Sequence, residues 1–141
     1  VSVDDVKARV QRILSDKLGS VRIDKDGDFV LQNGSSVGFV KVRSWGDDET
    51  IVKVWSPILR KVKPSPELYK WAATSGQERF FAHVRIIEGD SNQVMIILEH
   101  DLLGDYLDPD ELMNVVLSVM LNADEWDDEL QKMFGGERAA D

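Results

Sequence analysis

Val3, Val6, Val10, Ile13, Leu14 and Leu18 recur three to four residues apart, and Asp4, Asp5, Lys7, Arg9, Arg12, Asp16 and Lys17 fill the gaps. That spacing predicts a one-sided helix, which Gly19 ends in a left-handed cap. Strand patterns follow. Residues 21–23 and 29–31 flank Asp26-Gly27, a residue pair that favours a tight hairpin turn. Asn33-Gly34 turns the chain into a strand at 37–45, and residues 46–49 turn it into another at 51–55. Ser65-Pro66-Glu67 opens a second helix, expected to reach about Gly76. Serine caps it, proline fits the first helical position, and glutamate suits the positive helix end. Strands are expected at 80–87 and 94–99, joined by a turn at Gly89-Asp90. Asp108-Pro109-Asp110-Glu111 starts a third helix through Leu112, Val115, Val116, Val119 and Met120. A last helical segment runs from Asp124 to Phe134 and stops at Gly135-Gly136. One domain is expected over residues 1–136, with 137–141 a frayed tail.

Strands on short turns with helices set apart imply an antiparallel sheet and an α+β fold. The two middle strands carry the most information. Their even positions, Val40, Val42, Val52 and Val54, are aliphatic. Their odd positions, Phe39, Lys41, Arg43, Trp45, Ile51, Lys53 and Trp55, mix aromatic, aliphatic and basic side chains. A slip of one residue would exchange the faces, so the pattern selects the register that brings the four valines together. The opposite face then has two uses. A helix or a second copy could cover its aromatics while the lysine stems reach solvent. Alternatively, the face could be a shallow groove for an extended, partly acidic peptide, since large aromatics beside cations suit binding hot spots. Val94, Met95, Ile96, Ile97 and Leu98 alternate with nothing, which predicts a central strand buried on both faces.

Charge sharpens this picture. The net charge of −9 resides in the last part of the chain, where residues 101–141 hold two of the 17 basic and twelve of the 26 acidic residues. An acidic end disfavours nucleic acid, which needs clustered cations. At 141 residues the chain can fold as one domain without staples, and the absence of cysteine removes disulfides and thiolate chemistry. No apolar run approaches a membrane span, and the first residues carry no secretory pattern, so a cytoplasmic location is expected.

Candidate chemistry is sparse. Asp24-x-Asp26-x-Asp28 matches the start of a calcium loop, but Phe29 and Ser35 stand where such a loop needs glycine and glutamate. His83 and His100 are the only histidines, and neither belongs to a nucleophile or metal-ligand pattern. Asn33-Gly34-Ser35 fits a glycosylation sequon and reads as a turn. No cofactor, metal or catalytic constellation is expected.

Several stretches together resemble the type III secretion chaperones and their YbjN relatives. Asp24-Lys25-Asp26-Gly27-Asp28 is similar to that family's early hairpin, and Ser56-Pro57-Ile58-Leu59 after Trp55 to its strand-to-helix connection. Residues 107–112 resemble the opening of its last long helix, and Ala123 to Leu130, ending in Phe134-Gly135-Gly136, the close of YbjN-type members. The order of elements agrees as well. The resemblance implies a non-enzymatic, chaperone-like module that holds a non-globular client segment, often as a homodimer. On that basis Tyr69, Trp71, Phe81 and His83 are interface candidates, while the alternation itself makes the seven odd positions of the middle strands peptide-binding candidates, together with the apolar stripe of the first helix. The rival expectation is a homodimeric regulatory or structural protein with a folded partner. The closing helix, apolar at Trp126, Leu130, Met133 and Phe134 and acidic on its back, is expected to lie over the aromatic-basic face, in its own chain or a partner's, and compete with clients.

Overall fold

The computed structural model describes residues 1–139. Helix α1 (Val3–Leu18) starts where the Asp5 N–H donates to Ser2 Oγ at 3.1 Å and ends at Gly19, with φ of 85°. It buries Val6, Val10, Ile13 and Leu14, the stripe that the periodicity marks. Strands β1 (Arg22–Ile23) and β2 (Phe29–Asn33) form the first hairpin. Asp24 organises its turn by accepting the Asp26 and Asp28 N–H groups at 2.9 and 3.0 Å. Strand β3 (Ser36–Trp45) then pairs with β4 (Glu49–Val62) in the register that sets Val40 against Val54 and Val42 against Val52.

Strand β4 is longer than expected. Residues 56–59 continue it rather than lead into a helix. Ser56 is buried, and its hydroxyl donates to Val37 O at 2.7 Å. Pro57 lies just beyond the last β3 partner, Trp55, and beside a register shift in the β4–β6 pairing. A residue without an N–H is tolerated in a strand at such an irregularity.

Helix α2 (Pro66–Ala73) is capped by Ser65 Oγ, which accepts the Leu68 N–H at 3.1 Å, and a 3-10 turn at Ser75–Gln77 follows. Strand β5 (His83–Glu88) begins later than the pattern predicts, because Phe81 adopts a left-handed φ of 59° that breaks extended structure. Strand β6 (Val94–Leu103) pairs with β5 and β4. The closing segments, which the sequence leaves as one helix or two, are one: α3 (Pro109–Phe134) runs 26 residues, about 39 Å at 1.5 Å per residue. No glycine or proline interrupts it after Pro109, and Asp108 Oδ1 caps it by accepting two backbone N–H groups. Glu137–Arg138, expected to fray, form β7 and pair with Leu59 and Arg60, on the edge of β4 that β3 has left. The Ala139 N–H adds a bond to Ile58 O at 3.1 Å. The remainder of the expected tail, Ala140 and Asp141, lies outside the described residues.

The strands run in the order β1-β2-β3-β4-β6-β5, all antiparallel, with β7 against β4. All three helices send their buried residues into one core with one face of this sheet, the face of Val40, Val42, Val52 and Val54. Helix α3 lies so close to β3 that a Cβ on Gly38 would meet Met120 Sδ at 2.8 Å. Trp126 and Leu130 belong to the same core, and the Trp71 ring meets Trp126 edge-on at 5.2 Å and Phe134 at 6.1 Å. This corrects the expectation that the closing helix covers the aromatic-basic face: its apolar side is committed to the opposite face of the sheet.

The commitment predicts a sharp contrast along one helix. Leu130 is 0% exposed and Met133 50%. Leu130→Ala is expected to lower the free energy of unfolding in urea by about 2–5 kcal/mol, and Met133→Ala by less than about 1 kcal/mol.

Candidate functional site

Strand alternation sends Phe39, Lys41, Arg43 and Trp45 of β3 and Ile51, Lys53 and Trp55 of β4 to the face opposite the helices. The register joins them in rows: Phe39 with Trp55, Lys41 with Lys53, Arg43 with Ile51. The seven peptide-binding candidates therefore form one patch. Phe39 and Trp55 stack with ring centroids 4.5 Å apart and planes 20° from parallel. Trp45 stands at the end of the patch, 55% exposed.

The rows extend beyond what the two strands reveal. Val30 pairs with Phe39, and Ile97 with Pro57. Both are buried yet lie outside the helical core, so they belong to this second apolar surface. Ile97 accounts for the uninterrupted apolar run of β6, which serves both faces as expected. Glu99 sits opposite Trp55 and Asp101 opposite Lys53. The sequence reading missed these four residues, because a strand's neighbour on its far side becomes known only with the sheet order.

The charges divide into two groups. Lys53 Nζ lies 3.1 Å from Glu99 and 2.9 Å from Asp101, and Arg85 approaches the same Glu99 at 3.4 Å. Burial alone would lower the Lys53 pKa, but the hydrogen bonds that its ammonium donates to Asp101 and Glu99 outweigh it and hold the group above its ordinary value. Lys41 and Arg43 are exposed and enter no ion pair among the described residues. Asp28 lies near enough to Lys41 to feel its charge, although burial still raises the Asp28 pKa. Available positive charge thus resides on the β3 half of the patch.

The four interface candidates are spread more widely. Tyr69 is exposed on α2, whereas Trp71 packs inward on Trp126. Phe81 lies in the loop before β5, edge-on to His100 at 5.6 Å. His83 opens β5, with its ring 6.0 Å from His100 and its Nδ1 buried without a hydrogen-bond partner. Among the described residues no cluster of three metal-ligating side chains occurs, and no helix is long and apolar enough to cross a membrane.

Against known proteins, residues 4–141 match the family described as T3SS (YopN, CesT) and YbjN peptide-binding chaperone 1. The chain belongs to this family, and its architecture and element order agree with the resemblance read from its sequence. It is a peptide-binding, chaperone-like module. Among solved structures, a chain of the ExsC–ExsE complex superposes with a TM-score of 0.56 at 14% identity, over 86% of this chain and 93% of that one. At that identity the match shows a common fold. No curated protein sequence matches.

The histidine pair gives a prediction in pH. Burial first, and then the neighbouring His83, push the His100 pKa below its ordinary 6.5, while Asp101 and Glu111 oppose the shift. The unfolded chain therefore takes up a proton that the folded chain resists, and stability falls as the pH drops through about 6.5. Urea midpoints are expected to be lower at about pH 5.5 than at about pH 7.5. His100→Gln should flatten that dependence.

Proposed function

We propose that the helix-free sheet face holds an extended, partly acidic segment of a client protein. One observation carries this reading: the Phe39–Trp55 stack and the exposed Trp45 flank two cations, Lys41 and Arg43, that have no ion partner among the described residues. Large aromatics supply contact area at small entropic cost, and unpaired cations select carboxylates. An open surface that spans β2, β3, β4 and β6 fits an extended chain better than a compact small molecule. The family's peptide-binding description supports the same class of ligand.

The test is peptide affinity by fluorescence anisotropy, with a client-derived or selected acidic-aromatic peptide. Trp45→Ser is expected to cost about 2 kcal/mol, roughly thirtyfold in Kd. The pair Lys41→Glu and Arg43→Glu should weaken binding and reverse its salt dependence. Unchanged affinity in both variants would place the peptide elsewhere.

The homodimer belongs to the same proposal. Strand β5 ends the sheet, and its outer edge pairs with no other described strand. Tyr69 and the exposed Phe81 offer apolar surface in addition. Light scattering is expected to return twice the chain mass of 15.9 kDa, and a constant 15.9 kDa at all loadings would refute the dimer.

A further inference from the structure

The C-terminal strand β7 closes one edge of β4 beside the open sheet face. Beyond Trp55, β4 has no partner in β3, and Glu137 and Arg138 fill part of the vacant edge opposite Arg60 and Leu59. The β4 residues Ile58, Leu59 and Val62 are buried there. Gly135 and Gly136, with φ of 75° and 84°, turn the chain from α3 into the strand. The approach is closest at Gly136, where a Cβ would meet Val62 Cγ2 at 2.7 Å and Arg60 O at 2.8 Å. Outside the β7–β4 pairing, the Ala139 N–H donates to Ile58 O at 3.1 Å and Gln131 Nε2 to Gly136 O at 3.2 Å.

Charge supplies the rest of the hold. Neighbouring residues of a strand point to opposite sides. Arg138 reaches back to Asp128 of α3. Glu137 shares its side with its partner Arg60, and its carboxylate lies 3.4 Å from Arg60 and 3.5 Å from Lys61. Consecutive residues of a regular strand could not both reach one carboxylate. Arg60 and Lys61 do so because Lys61 adopts a left-handed φ of 56° within the register shift between Leu59 and Val62. Lys61, Glu137 and Asp128 are exposed, and exposed ion pairs hold weakly one by one. The strand is therefore fastened by contacts that can be exchanged.

Two cations on one carboxylate leave donors to spare. Arg60 Nε is buried and has no hydrogen-bond partner among the described residues. Arg60 and Lys61 also line a hollow of 260 Å³ with Ile87 and Met95. Ile87 pairs with Met95, two residues before Ile97, so the hollow opens on the sheet face that carries the Phe39–Trp55 stack. Glu88 and Asp90 line it too, and its overall charge is mixed. The chemistry these cations accept is shown by Glu137, the carboxylate that the chain itself places on both. We infer that β7 is an autoinhibitory strap: Glu137 holds the cation pair, and β7 the β4 edge, that an acidic client segment takes over when the strap lifts. This rests on the sheet-face reading for its ligand and adds a control over that face. Because the strap and the client compete, the docked strap lowers the apparent affinity.

Two substitutions in the full chain release the strap by different means. Arg138→Gln cuts its tie to α3, and Gly136→Val forces a side chain against Val62 and Arg60. Fluorescein-labelled Glu-Leu-Glu-Phe-Glu-Leu-Glu is expected to bind each variant about fivefold more tightly than the wild type. For Arg138→Gln the sign is diagnostic, because losing a cation makes the chain more acidic and by net charge alone would weaken binding. Without peptide, the Ala139 N–H should exchange with deuterium about tenfold faster in both variants, while the Leu130 N–H keeps its wild-type rate. Weaker or unchanged binding in Arg138→Gln overturns the strap, as does a wild-type exchange rate at Ala139 in both variants. If Gly136→Val fails to fold by circular dichroism, Arg138→Gln decides alone. Trp45→Ser, titrated with the same peptide, tests the sheet face separately. Tighter binding in Arg138→Gln with no loss in Trp45→Ser would keep the strap and remove the sheet face.

Discussion

All three helices of this domain pack against one face of its sheet, and that one-sidedness governs the rest of the structure. An antiparallel sheet can leave a face in water when the outward positions are polar. Here the outward positions include Phe39, Ile51, Trp55 and Ile97, with Val30 beside Phe39. Two devices reduce the cost of that exposure. Phe39 and Trp55 cover each other by stacking, and Lys53 and Arg85 neutralise Glu99 and Asp101 so that neither acid stands alone on the surface. Among what remains accessible are Trp45, Leu103 and the cations Lys41 and Arg43. Such a surface is stable in the monomer and still gains from being covered.

The helical side solves the converse problem. Helix α3 buries ten residues and fastens the sheet's concealed face, while its acids other than Asp127 are exposed. Ser35, at the β2–β3 turn, is held by the Asp124 and Asp127 carboxylates, so the same helix anchors the hairpin whose second strand carries half of the proposed peptide face. A change at the C-terminal half of α3 can therefore reach the proposed peptide face through the position of β3, without contact between the two.

The sequence made some of this legible and not the rest, for physical reasons. Period-two alternation fixed the register of β3 with β4 because the reverse choice would have buried Lys41, Arg43 and Lys53. The resemblance and the element order together identified the fold. The course of β4 through Pro57 was hidden, because proline argues against a strand and only the Ser56–Val37 bond and the adjacent register shift make it acceptable. The late start of β5 depended on the conformation of Phe81, which no apolar pattern encodes. Amphipathicity showed that the closing helix must bury Trp126 and Leu130 but not which face of the sheet receives them. The charge match to Lys41 and Arg43 suggested the wrong one. Packing with Trp71 and the core valines prevailed, as expected when exposed ion pairs contribute only about 0–1 kcal/mol each.

The four tryptophans divide evenly between the two sides, Trp45 and Trp55 on the open sheet face and Trp71 and Trp126 in the helical layer. Fluorine NMR of the chain labelled with 5-fluorotryptophan, titrated with an acidic-aromatic client peptide, tests the central claim directly. The account predicts saturable shifts of the Trp45 and Trp55 resonances while those of Trp71 and Trp126 stay in place. Shifts confined to Trp71 and Trp126, with Trp45 and Trp55 unmoved at saturation, would contradict it.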